Sequence, residues 1–187
     1  MKKLLLSSIL GGVIIFAWGA ISHMATPLGD AGLKILPNED AVLAALKSTV
    51  PEAGLYYYPG FNMREKQTPE QEAMWKTKYR NGPVGMLLYR PVGGEINMAP
   101  LMIYEFLSNV LQAAIAALIA VSLAGGYWKR VWLLSAIGLS AWVTISLSHW
   151  IWYDFPATFI VAEGVDNVVG AILAGLLIAK IIPPRTA

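Results

Sequence analysis

The sequence predicts an all-α membrane protein. It has four transmembrane helices, both termini on the cytoplasmic side, and a small α+β insert between the first two helices. Three observations predict this. Of the 187 residues, 56% are hydrophobic and only 14% are charged, too few charges for an ordinary soluble domain. The apolar residues gather at 4–23, 101–127, 131–152 and 158–182. Each stretch reaches about the ~20 residues that cross a bilayer core as a helix. The flanking bases then set direction. Lys2, Lys3, Lys129, Arg130, Lys180 and Arg185 all fall inside when the chain threads in-out-in-out-in, as the positive-inside rule expects. The long connection, 24–98, is then external.

The first stretch has a second reading. Lys2-Lys3 followed by an apolar run resembles a signal peptide, with Ala20-Ile21-Ser22 as a small-x-small cleavage site. The run is longer than the ~7–15 residues of a signal-peptide core, and Pro27 lies close behind the cut. Both favour an uncleaved helix.

The connection that follows is too long for a plain loop, and its pattern is that of a folded unit. Asn38 precedes Glu39 and Asp40 and then an apolar face, which reads as an N-capped short helix ended by Pro51. Leu55-Tyr56-Tyr57-Tyr58 reads as a strand closed by Pro59-Gly60. Thr68-Pro69-Glu70-Gln71 is a capping box with proline at the first helical position. The helix it opens runs to about Tyr79, before the stop at Asn81-Gly82-Pro83. Met86-Leu87-Leu88-Tyr89 is a second strand. A unit this small without disulfides is marginally stable alone. The expectation is that it packs on the outer ends of the helices, with Tyr56, Tyr57, Tyr58, Phe61 and Trp75 filling its core and the interface belt.

The last two stretches carry packing signals. Ala136, Ser140, Thr144 and Ser148 recur every four residues in the third. Gly170/Ala174 and Ala171/Gly175 form small-xxx-small pairs in the fourth. Both patterns let helix backbones approach closely in lipid. Trp128 and Trp132 suit the inner interface, and Trp150, Trp152, Tyr153 and Phe155 the outer one.

Several function classes drop out. There is no cysteine, so disulfides, thiolate metal sites and c-type haem attachment are excluded. The external stretch has as many acidic as basic residues, so it offers no basic face to nucleic acid. No Gly-rich phosphate loop, H-E-x-x-H or recognisable Ser-His-Asp context is present. Ser22-His23 and Ser148-His149 are helix neighbours, which do not face each other. The chain reads as a non-enzyme.

The polar residues in the spans are the functional lead. They are His23 in the first, Glu105, Asn109 and Gln112 in the second, His149 in the third, and Glu163, Asp166 and Asn167 in the fourth. Asp154 follows in the outer turn. Glu105, Asn109 and Gln112 share one helix face, as do Glu163, Asp166 and Asn167. At ~1.5 Å of rise per residue, Glu105 lies only ~6–8 Å inside the outer boundary and the others at similar depth. A polar chamber opening outward is therefore expected, roofed by the insert. Three readings stay open. The cluster is a structural hydrogen-bond network. Or the chamber binds a small polar ligand or, through His23, Glu105, His149, Glu163 and Asp166, a divalent metal such as zinc, iron or manganese, with bis-histidine haem as a variant. Or the chamber is an ion path, although nothing ionisable continues it inward. The Glu-x-x-His pair of di-iron bundles is missing. Besides the lipid bilayer, the expected partner is a membrane or periplasmic protein served in an accessory or sensing role.

The run Phe16-Ala17-Trp18-Gly19-Ala20-Ile21-Ser22-His23, continuing to Pro27-Leu28, resembles the first helix of small uncharacterised bacterial inner-membrane proteins with a W-G-x-x-S-H signature. Gly82-Pro83-Val84-Gly85-Met86 and Glu105-Phe106 are also similar. The resemblance implies a bacterial source and an inner-membrane location. It brings no activity and no functional residues.

Overall fold

The computed structural model describes residues 1–185. Four helices are long and apolar enough to cross a bilayer, so the chain is a multi-pass membrane protein, with a small α+β insert between the first and second span. The chain divides into two units: Met1–Lys34 with Ile96 onward, and Ile35–Glu95.

The insert contains α1′s successors in the chain. With α1 at Lys2–Ala25 in the membrane unit, they are α2 (Glu39–Thr49), β1 (Gly54–Tyr58), α3 (Pro69–Asn81) and β2 (Gly85–Tyr89). The strands pair antiparallel, with Tyr56 opposite Leu87. Phe61 and Trp75 rings meet at 4.9 Å, Trp75 and Tyr79 at 5.3 Å, and the Trp75 indole donates to the Pro59 carbonyl at 3.1 Å. Asn38 occupies the N-cap of α2 but in a left-handed conformation, φ 50°, with no side-chain cap bond. The expected asparagine cap is therefore absent, because its backbone is not extended as capping requires.

The capping box of α3 is formed in full. Thr68 accepts from the Gln71 amide at 3.2 Å, and the Gln71 side chain accepts from the Thr68 amide at 2.8 Å. Backbone N–H groups at the helix start, then the Thr68 hydroxyl, hold the Glu70 carboxyl below the usual carboxylate range. Its contribution is present above the ordinary carboxylate pKa and is lost as pH falls through the lowered one. Thr68→Ala should cost about 1 kcal/mol locally. Hydrogen exchange should read this as ~5-fold weaker amide protection across Pro69–Asn81.

In the membrane unit, α4 spans Met98–Ser122 and α7 spans Ala157–Ile181. The third span is one rod, Tyr127–Tyr153, built from α5 (Tyr127–Ala141), a π-helical turn (Trp142–Ser146) and α6 (Leu147–Tyr153). α4 ends earlier than its hydropathy suggests. Gly125 takes φ +102°, open to glycine at little cost, and turns the chain before Tyr127. α1 packs between α4 and α7, and α7 packs between α1 and α5.

Small residues explain these contacts. Gly12 faces the α4 backbone so closely that a Cβ there would lie 2.7 Å from Val110 Cα. Gly138 of α5 stands against Ala171 and the Asn167 carbonyl of α7. Gly170, Ala171, Ala174 and Gly175 are all buried, as small-xxx-small pairing implies. The core is alanine-rich: Ala113, Ala117 and Ala120 meet Leu134 and Ile178. The α5 stripe differs from expectation. Ala136, Ser140 and Thr144 are exposed and line an open groove, whereas Val131, Leu134, Ser135 and Gly138 are buried. The face toward α7 is the one carrying Gly138 and Leu134, because Gly138 permits the closest approach.

The far end of α7 is capped from α5. Arg130 is buried at 2% exposure, and its guanidinium donates to the Ala179 carbonyl at 3.1 Å and the Ile182 carbonyl at 2.7 Å. Tyr127 donates to the Leu176 carbonyl at 2.9 Å. Ala179 carries one of the last four carbonyls of α7 and Ile182 is its C-cap, where carbonyls lack intrahelical donors and the dipole favours a cation.

Candidate functional site

The opposite end of the membrane unit holds the polar side chains. There the C-terminal part of α1 meets the N-terminal parts of α4 and α7. Two adjoining cavities open between them, of about 280 and 540 Å³, and share His23, Glu105, Asn109 and Asp166 in their walls. Gln112 and Asn167 line the smaller cavity, and Glu163 the larger.

Helix geometry positions each group. Asn109 is buried and donates to Glu105 Oε1 at 3.2 Å, one turn away on α4. The Asn167 amide is spent on its own helix, donating to the Glu163 carbonyl at 2.8 Å. His23 Nδ1 lies 3.0 Å from the Gly19 carbonyl, 3.0 Å from Ser22 Oγ and 3.5 Å from Asp166 Oδ2. Ser22 Oγ itself donates to the Gly19 carbonyl at 3.1 Å. All three neighbours of Nδ1 thus call for a donor, so Nδ1 carries the proton and Nε2 keeps its lone pair in the neutral ring.

Ser22 and His23 do touch, contrary to the expectation for adjacent helix positions. Both side chains turn back toward the Gly19 carbonyl, which brings them together. The contact does not make a catalytic relay. Ser22 Oγ and Asp166 share the same ring nitrogen, whereas a triad uses opposite nitrogens for nucleophile and acid.

His149 and Asp154 take no part in either cavity. The His149 ring stacks on Phe155 at 5.0 Å, and Asp154 ends α6 in a left-handed conformation, φ 54°. The π-helical turn explains this. It holds an extra residue, so every side chain beyond it is turned by about 100° relative to a continuous α-helix. His149 has the expected depth and a different direction. Among the described residues no three His, Asp or Glu side chains stand close enough to hold one metal ion. The five-residue set His23, Glu105, His149, Glu163 and Asp166 is therefore not assembled as a single centre.

Sequence reasoning passed over Trp18. Its indole Nε1 is buried without a hydrogen-bond partner among the described residues, and so is Asp166 Oδ1. Both residues line the smaller cavity. A buried donor and a buried acceptor left open are each costly, of order 1–3 kcal/mol. A tryptophan five residues before a histidine gave no signal for this.

No family model, curated protein or solved structure matches the chain.

Proposed function

We propose that this chain is a non-catalytic accessory or sensing protein of a bacterial inner membrane, and that its cavity between α1, α4 and α7 takes up a small hydrogen-bonding cation. The observation behind this reading is that Trp18 and Asp166 line one cavity while Trp18 Nε1 and Asp166 Oδ1, buried just behind its surface, lack a hydrogen-bond partner among the described residues. A ligand carrying both a donor and an acceptor satisfies the two at once when the side chains turn toward the cavity. The charge balance selects a cation. Among the described residues, Glu105, Glu163 and Asp166 in the walls are set against His23 as the one basic side chain there. The Lys/Arg pattern supports a cavity opening on the periplasmic side, since all six bases that flank the spans belong to the other end.

The test uses detergent-purified full-length protein at low ionic strength, with ethanolammonium and choline chlorides, whose hydroxyl both donates and accepts, as probes and sodium chloride as the control. At least one probe should raise the melting temperature saturably. A concentration 100 times Kd corresponds to about 2.7 kcal/mol of stabilisation. Asp166→Asn should abolish that rise. Equal behaviour of all probes and sodium chloride, or an undiminished rise in Asp166→Asn, would overturn the reading.

A further inference from the structure

The larger cavity contains an unassigned set of soft ligands at its mouth. His23 and Met24 come from the end of α1, and Met98 and Met102 come from the start of α4. Met98 and Met102 are one turn apart, so they share a helix face. All three methionines are exposed at their helix ends.

We propose that His23 Nε2 and the thioethers of Met24, Met98 and Met102 form a binding site for a monovalent soft metal ion, Cu(I). This site shares His23 and Asp166 with the walls of the smaller cavity, but its ligand atoms are His23 Nε2 and the three sulfurs, none of which belongs to Trp18 or Asp166.

Three observations converge on it. The first is the histidine. A metal-binding imidazole characteristically donates its other N–H to a carbonyl or carboxylate, which fixes the tautomer and the ring. His23 Nδ1 is held by the Gly19 carbonyl at 3.0 Å with Asp166 Oδ2 at 3.5 Å, while Nε2 has no hydrogen-bond partner among the described residues. Its lone pair is available on the side away from those contacts. The second is the donor type. Thioether sulfur is a soft ligand that favours Cu(I) over hard dications. The carboxylates and histidines do not assemble a hard-ligand set here, so zinc, manganese and iron lack the donors that the soft ion has. The third is placement. Met24, Met98 and Met102 line the same cavity as His23, and each thioether can be re-aimed by turning about three side-chain bonds. The nearby Glu105 and Asp166 carboxylates add favourable charge for a cation.

The experiment titrates detergent-purified full-length protein with Cu(I) under anaerobic, ascorbate-reduced conditions, in competition with bicinchoninate. Parent protein should take one Cu(I) per chain. Met98→Leu with Met102→Leu should lower the affinity at least 10-fold, and Met24→Leu should lower it in the same direction. These swaps conserve volume at exposed positions, so the fold should persist, as an unchanged melting temperature of the metal-free protein would confirm. His23→Gln should lower the affinity by 10-fold or more. Asp166→Asn should weaken Cu(I) binding by about 10-fold, as loss of the carboxylate behind a metal-binding imidazole does, whereas Met63→Leu, exposed in the other unit, should bind as the parent does. Failure of the parent to compete for Cu(I), or parent-like affinity in the Met98/Met102 double variant, would overturn the proposal. Either result leaves the organic-cation experiment, with its own probes and its own Asp166 dependence, to decide the first reading separately.

Discussion

Arg130→Ala is expected to destabilise the protein by about 3–5 kcal/mol, the loss of two charge-assisted hydrogen bonds. The side chain is essentially enclosed, and it makes two charge-assisted hydrogen bonds, to the Ala179 and Ile182 carbonyls. Such bonds contribute roughly 1.5–3 kcal/mol each. Alanine would leave both carbonyls without a donor at the end of α7 and open a void where the guanidinium is enclosed. Arg130→Lys should recover part of the loss. A lysine keeps the charge at the helix C-terminus, but it cannot span two carbonyls with a planar fork. Thermal unfolding in detergent measures both variants. An Arg130→Ala melting temperature within 2 °C of the parent would show that the α7 cap contributes nothing. Lys129 is exposed on the same turn, so Lys129→Ala should have little effect. That contrast separates burial from simple loss of a flanking charge.

Arg130 also shows what a sequence can and cannot disclose. As a base beside an apolar stretch it was legible as a topology signal, and Lys129 looked identical. Which of the two turns inward depends on where α7 ends relative to α5, a tertiary fact. The spans themselves were readable because length and hydropathy determine them with no knowledge of neighbours. The α3 capping box was readable for the same reason, since all its partners lie within four residues. Asn38 failed that local logic only because its backbone is left-handed. The α5 stripe of Ala136, Ser140 and Thr144 is a case of equal periodicity on two faces. Gly138 and Ser135 supply a competing small face, and spacing alone cannot rank them. At the candidate site, depth along each helix was legible and direction around the helix was not. His23, Glu105, Glu163 and Asp166 reach one pair of cavities, whereas the π-helical turn carries His149 elsewhere. Methionine gave no warning at all, because at a helix end it reads as ordinary lipid-facing surface.

Gly12→Leu is expected to cost about 3 kcal/mol or more, at the upper end of the range for overpacking. The reason is what a new side chain would meet. At Gly12 an added Cβ lies 2.7 Å from Val110 Cα and 2.8 Å from Val110 N. These are backbone atoms of α4, held by its own helical hydrogen bonds, and cannot swing aside like the end of a flexible side chain. The helices must separate instead. That separation loosens the α1–α4 contact along its length and, with it, the position of His23 against Glu105. Gly12→Ala should already cost about 1–3 kcal/mol, despite the ~1 kcal/mol gain in helix propensity that alanine brings. Gly19→Ala is the matched control, because a Cβ there meets nothing within 4 Å. It should be neutral or slightly stabilising. Melting temperatures of the three variants in one detergent test the ordering Gly19→Ala, Gly12→Ala, Gly12→Leu from most to least stable. A Gly12→Ala protein as stable as Gly19→Ala would mean that α1 and α4 are not in backbone contact at this level, and the cavity between them would lose its wall.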